Sequence, residues 1–216
     1  MKIRKHVMLM TAVLMCALML CSCKLAADEP AAPAEPTAEP AASIETAALD
    51  ENATYYAEID IADHGVITVA LYGNDAPISV ANFVKLANEG FYNGLTFHRI
   101  ISGFMMQGGD PNGNGTGGSE NTIKGEFSAN GVENTLSHTR GAISMARSQN
   151  PDSASSQFFI CHADSTFLDG QYACFGYVTD GMDVVDAVCE AAQPTDDNGT
   201  ISADQQPVIT AIRITD

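Results

Sequence analysis

The chain has 216 residues, 45% of them hydrophobic, with 27 acidic and 10 basic side chains and a formal net charge of −17. The length suits one domain plus extensions. The charge excludes non-specific nucleic-acid binding and adhesion to anionic lipid through charge alone; no CxxC or HExxH spacing occurs, so neither a metal nor a cofactor is predicted.

Lys2, Arg4 and Lys5 precede an almost wholly apolar run, Val7–Leu20, in which Thr11 is the one polar residue. The run is short for a membrane-spanning helix and right for the core of a secretory signal. Leu20-Cys21-Ser22-Cys23 follows. A leucine three places before a cysteine, with a small residue just before it, resembles the bacterial lipobox. That resemblance implies a signal peptide over residues 1–22 and a lipid on Cys23; Cys21 is disfavoured because bulky Leu20 precedes it. The expected location is the cell membrane, lipid-anchored, with the domain extracytoplasmic. Removing the segment takes away three of the ten basic residues and leaves seven against 27 acidic ones, a net of −20. Residues 23–53 carry Pro30, Pro33, Pro36 and Pro40 among Ala, Glu and Thr. Such a stretch cannot bury a core and reads as a disordered tether, at most roughly 90 Å long when extended.

The folded domain is expected over 54–216. Tyr56–Ile61 alternates, with Ala57, Ile59 and Ile61 on one side, then turns at Asp63-His64-Gly65 into a second strand, Val66–Tyr72: a β-hairpin. Asp75 is placed to cap a helix with Pro77 in its first turn and Gly90 past its end. Val80, Phe83, Val84 and Ala87 give that helix its apolar stripe.

Phe97–Asp110, FHRIISGFMMQGGD, puts Arg99 among large apolar residues. On a strand's period of two, Arg99 shares a side with Phe97 and Ile101. A permanent charge there is costly unless paired, snorkelling to water, or used by a ligand. The functional reading is an apolar pocket with one fixed cationic donor at its rim.

Asp110–Glu120 is a glycine-rich loop. Gly113, Gly115 and Gly118 fit the dinucleotide spacing, but the residues that follow show no helical stripe. Asp110, Asn112 and Asn114 begin like a calcium loop, but the twelfth position is Asn121 rather than glutamate. A rim loop beside the pocket is expected instead. Further strands are predicted at Gly141–Met145, Phe158–Cys161, Ala173–Val178 and Val208–Ile214, with a short helix over Asp183–Cys189. Many short strands and two helices make a mainly β chain, a closed antiparallel barrel with a helix over each end.

Cys161, Cys174 and Cys189 fall in the domain. Buried free thiols are expected, with a Cys161–Cys174 disulfide the alternative. Cys161-His162 does not make a hydrolase, because adjacent strand residues face opposite ways.

Three blocks carry a family resemblance: Phe97–Asp110; Ser155-Ser156-Gln157-Phe158-Phe159-Ile160-Cys161; and Phe167-Leu168-Asp169-Gly170-Gln171-Tyr172 with Phe175-Gly176. In this order they resemble the cyclophilin family of peptidyl-prolyl cis-trans isomerases, from about Thr54 to Asp216. The resemblance implies a closed eight-stranded antiparallel barrel capped by two helices. It implies catalysis by Arg99 and Gln107, with Gln107 orienting Arg99 and holding the substrate backbone. Phe104, Met105, Phe159 and Leu168 would form the proline pocket, with Phe167 and Tyr172 at its edge. Gln157 would line the groove, Ala146 and Arg147 would hold the peptide through their main chain, and Gly115 would border the groove beyond. Three positions depart from the best-known eukaryotic pattern: Phe167 for tryptophan, Tyr172 for histidine, Arg147 for asparagine. The first puts binding of cyclosporin-type inhibitors in doubt. The partners implied are proline-containing polypeptides and, through the lipid on Cys23, a membrane; no nucleic acid, and a monomer. The expected function is prolyl isomerisation assisting the folding of exported proteins. The alternative is a proline-segment binding module with incidental turnover.

Overall fold

The computed structural model describes Asp50 and residues 53–215. The expected signal segment and the lipidated Cys23 lie outside the described residues, as does the tether apart from Asp50 and Ala53.

The hairpin forms as its alternation requires. Strand β1 (Thr54–Ile61) pairs antiparallel with β2 (Gly65–Tyr72), and Ala57, Ile59 and Ile61 are buried. The tight turn places Asp63 and Gly65 at positive φ, which Asp tolerates and Gly adopts freely. Helix α1 (Pro77–Asn88) follows, with Pro77 in its first turn and Val80, Phe83, Val84 and Ala87 buried.

Its start differs from the expectation. The cap position is Ala76, not Asp75, whose carboxylate instead accepts from the Thr135 hydroxyl at 2.6 Å. The helix is capped from a distance by Glu126. That carboxylate accepts from the Ile78 amide at 2.9 Å, the Ser79 amide at 2.8 Å and the Ser79 hydroxyl at 2.6 Å, and Glu126 is only 1% exposed. A helix leaves its first amides without partners and favours negative charge beside them. Both needs are met by a residue 47 positions downstream of Ser79.

The remaining strands are β3 (Thr96–Ile101), β4 (Met105–Asp110), β5 (Ala142–Met145), β6 (Phe158–Cys161), β7 (Cys174–Asp180) and β8 (Ile209–Thr215), with helix α2 (Met182–Ala191) between the last two. All eight form one antiparallel sheet in the order β3-β4-β6-β5-β7-β2-β1-β8. The sheet curls until its ends meet. They join through a single antiparallel bridge, Thr96–Val208, beside which the Phe97 amide donates to the Pro207 carbonyl at 2.9 Å. Helix α1 packs on β8 and β2, and α2 on β2 and β4.

Alternation divides the sheet's two faces. Met106, Phe158 and Ile160 point into the main core, where Phe83 meets Tyr92, Phe158 and Phe175 at 5.3–5.4 Å between ring centres. Each such ring contributes about 2–3 kcal/mol by burial alone, and edge-on contacts add somewhat more. Met105, Phe159 and Cys161, one place along, point the other way into a smaller cluster with Ala142 and Cys174. Met105 and Phe159 are therefore not the barrel's interior packing; they are the floor of something built on its outer face.

The three domain cysteines are free and buried. Strand β5 lies between β6 and β7. Cys161 and Cys174 are thus two strand spacings, about 9–10 Å, apart, beyond the roughly 7 Å that a disulfide can bridge.

Candidate active site

Strand β3 does not keep the period of two. Its ladder with β4 shifts register between Phe97 and Arg99, a β-bulge at His98. Phe97 and Ile100 consequently belong to the main core, whereas Ile101 packs against the smaller cluster and Arg99 lines the outer pocket. Arg99 therefore does not share a side with Phe97, as simple alternation had it. The bulge turns the guanidinium out onto the face that Met105 and Phe159 occupy.

There the residues implied by the resemblance converge. A pocket of about 180 Å³ is lined by Arg99, Phe104, Met105, Gln107, Ala146, Arg147, Phe159, Leu168 and Tyr172. Gln157 and Gly115 line an adjoining cleft of about 220 Å³ that shares Gln107, Ala146 and Arg147 with the first. Phe167 is set apart: it is 67% exposed and lies against Phe104, ring centres 5.6 Å apart, outside the pocket lining.

Arg99 is held at both edges. Its Nε donates to the Asn198 carbonyl at 2.7 Å, and one Nη1 N–H points to Gln107 Oε1 at 3.3 Å. Gln107 in turn donates to Gln157 Oε1 at 2.8 Å, and Gln157 donates to the Gly117 carbonyl at 2.7 Å. This relay fixes which end of each amide faces which neighbour. Partial burial lowers the Arg99 pKa from its ordinary value, while Tyr172 and Asp196 act in the opposite direction; a guanidinium stays charged regardless. No carboxylate pairs with it among the described residues. The charge is fixed in place and not neutralised.

Asn198 was not singled out by sequence reasoning. The loop carrying it runs along the free edge of β3, where the Ile100 amide donates to Gly199 and the Ile201 amide to His98. Asp196 folds the loop by accepting from the Thr200 amide at 3.0 Å and hydroxyl at 2.9 Å. Gly199 has φ of +84°, and a Cβ there would sit 2.8 Å from the Ile100 carbonyl oxygen, so only glycine fits. Asp-Asp-Asn-Gly signals a turn in the sequence; nothing local signals that the turn docks beside Arg99.

A second support lies beneath Phe159. The His138 ring stacks on it with centres 5.9 Å apart. His138 Nδ1 meets Asp169 Oδ1 at 2.8 Å and Nε2 meets Ser144 Oγ at 3.0 Å. The partners assign the tautomer: Nδ1–H donates to the carboxylate and Nε2 accepts from the hydroxyl. Asp169 sits between Leu168 and Tyr172, so this chain ties the pocket's wall to the strand under its floor. Sequence reasoning named none of these three as support.

The glycine-rich loop is organised by Asp110, which accepts from the amides of Asn112 at 2.8 Å, Asn114 at 3.1 Å and Gly115 at 2.5 Å. Burial raises the Asp110 pKa, but the amides of Asn112, Asn114, Gly117 and Gly115 outweigh it and hold the carboxyl below its ordinary value. Both carboxylate oxygens are thus engaged by main chain, and residues 119–125 form no helix. The loop is the rim it was expected to be. Among the described residues no three His, Cys, Asp or Glu side chains group to hold a metal ion.

A curled eight-stranded antiparallel sheet with two helices, bearing on its outer face an apolar slot and one steadied arginine, is the architecture of an isomerase that turns peptide links without cutting them. The sequence profile of the family described as cyclophilin type peptidyl-prolyl cis-trans isomerase/CLD matches residues 56–216. A peptidyl-prolyl cis-trans isomerase of Helicobacter pylori is 48% identical over 137 residues, covering 62% of this chain and 81% of that one. Peptidyl-prolyl cis-trans isomerase B of Bacillus subtilis is 50% identical over 121 residues, covering 56% of this chain and 81% of its own. The crystal structure of a Cryptosporidium parvum cyclophilin type isomerase superposes with a TM-score of 0.67 at 28% identity, covering 76% of this chain and 99% of that one. The chain belongs to the cyclophilin family, and its activity is peptidyl-prolyl cis-trans isomerisation.

Proposed function

We propose that the chain is a lipid-anchored prolyl isomerase that assists the folding of exported proteins at the outer face of the cytoplasmic membrane, with Arg99 as its catalytic group. Rotation about an X-Pro bond is opposed by a barrier near ~20 kcal/mol, because the amide nitrogen shares its lone pair with the carbonyl. No covalent step is needed. The enzyme has only to favour the twisted amide over both planar forms. The slot of Phe104, Met105, Phe159 and Leu168 grips the proline ring. Ala146, Arg147 and Gln107 hold the backbone, so the preceding carbonyl is what swings. As the nitrogen pyramidalises, the Arg99 guanidinium donates a hydrogen bond to its freed lone pair. Partial exclusion of water strengthens that bond.

The observation carrying this reading is the grip on Arg99 by the Asn198 carbonyl at 2.7 Å and Gln107 at 3.3 Å, at the rim of an apolar pocket. A structure of the Cryptosporidium parvum relative in the presence of the dipeptide Ala-Pro, 30% identical with a TM-score of 0.66, supports an X-Pro ligand. The location rests on the sequence: a basic start, a short apolar run, and Leu20-Cys21-Ser22-Cys23. Two measurements test the proposal. A protease-coupled assay of the whole chain on an X-Pro peptide should show catalysed isomerisation. Expression in a bacterium should place the chain in the membrane fraction with acyl chains on Cys23, and Cys23→Ser should release it; a water-soluble unmodified product would end the anchoring proposal while leaving the enzyme intact.

A further inference from the structure

Arg147 stands where two clefts meet. The proline pocket has one wall from it, and so does the adjoining cleft, whose other polar side chains are Gln107, Thr116, Ser148, Ser153, Ser155 and Gln157. The second cleft is thus lined by hydroxyls and amides around one cation. Neither cleft has a carboxylate in its lining, although the chain carries 27 acidic against 10 basic residues. Lys85, Arg140 and Arg213 pair with Glu89, Asp186 and Asp60. Among the described residues, the two arginines of the groove have no such pair.

The Arg147 head is fixed by neutral partners. Nε and Nη2 donate to the Gln171 carbonyl at 3.0 and 2.8 Å, and Nη1 donates to the Ser148 carbonyl at 2.8 Å. The guanidinium lies 4.6 Å from the Tyr172 ring centre and 5.0 Å from that of Phe127. Carbonyls and rings hold the group without cancelling its charge. A guanidinium has five N–H donors, and these contacts leave some of them for a ligand.

We propose that Arg147 selects substrates with an acidic side chain near the proline, seated in the hydroxyl-lined cleft. An extended segment advances ~3.3 Å per residue, so a side chain within two or three residues of the proline reaches it. A carboxylate there meets a cation already in position, with the Ser155 hydroxyl in the same lining as a further donor; Ser148 and Ser153 donate theirs to Ser153 Oγ and the Asn150 carbonyl. The inference rests on the groove taking X-Pro segments, the reading given above.

The test uses the full chain in nonionic detergent and blocked X-Pro peptides. Glu, Gln or Lys is placed in turn at each of three positions on either side of the proline, and kcat/KM is measured. At one position Glu should exceed Gln by roughly two- to fivefold at low salt, as for a partly exposed ion pair, with Lys below Gln. The ratio should fall to one in high salt and in Arg147→Gln, and persist in Arg147→Lys. Each ratio is taken within one protein, so a general loss of activity cancels. A Glu preference that survives Arg147→Gln would belong to Arg99 and overturn the proposal. Equal rates for Glu and Gln at every position of the unaltered chain would overturn it too, a result that needs no variant to fold. Failure to turn over even the all-Gln peptide would sink the groove reading itself.

Discussion

Arg99 and Gln107 face each other across the β3–β4 pair, with Nη1 3.3 Å from Oε1, and the glutamine's other end is pinned by Gln157 at 2.8 Å. The arginine is therefore aimed before any substrate arrives. A preorganised donor of this kind is worth ~3–4 kcal/mol in the transition state. Arg99→Ala should lower kcat/KM by about 10²-fold or more in the protease-coupled assay, with an unchanged circular dichroism spectrum. Undiminished activity would remove Arg99 from the mechanism.

Glu126 lines neither cleft, yet it closes the start of helix α1 with three hydrogen bonds in a site 1% exposed. Glu126→Ala strands two amides and a hydroxyl. The expected loss is about 2–3 kcal/mol of stability, read from the urea midpoint. Glu126→Gln keeps an oxygen acceptor and should lose less. Activity below the melting transition should change little in either.

Burial lowers the pKa of both His98 and His138 below the ordinary histidine value of about 6.5. Asp110 raises His98 and Arg99 lowers it; the hydrogen bond and charge of Asp169 raise His138. As pH falls through 6.5 the unfolded chain takes up protons that these two rings refuse in the folded state. Stability then rises with pH below that value and levels off above it. The carboxylates beside these rings do not confuse this window. Asp110 and Asp169 have lowered values, so their contribution fades only at still lower pH. Urea midpoints at pH 7.5, 6.5 and 5.5 should drop slightly between the first two and more steeply between the last two. His138→Gln should flatten the acid limb.

Burial pushes the thiols of Cys161, Cys174 and Cys189 up to about 12. Only the thiolate reacts. Iodoacetamide at pH 8 should leave all three unmodified in the native chain and label all three in urea, as peptide mass mapping would report. Native labelling of any one would contradict its burial.

Much of this was legible because it is local. The period of two wrote the β1–β2 hairpin, and Val80, Phe83, Val84 and Ala87 wrote the buried face of α1. The three motif blocks contain seven of the nine residues that line the pocket; Ala146 and Arg147 fall between the first block and the second. What escaped is non-local or irregular. Nothing near Asp75 says that Glu126 will displace it as cap. The bulge at His98 inserts one residue and so separates Phe97 from Arg99, which alternation assigns to one face. Phe167 lies within a motif block, but its ring falls outside the pocket because it packs on Phe104 from the solvent side. Asn198 acts through a carbonyl that every residue possesses, so no side-chain pattern could mark it.

That last contact has a consequence for how the enzyme comes into being. One of Arg99's two firm holds is contributed 99 positions later. A growing chain thus contains every residue of its slot before it contains the carbonyl that steadies the arginine. Competence arrives only when the loop carrying Asn198 has been made and has settled against the free edge of β3. Fragments ending before Asn198 lose the arginine's carbonyl partner together with β8 and the core residues Ile201, Ile209 and Ile212, and so should be poor catalysts.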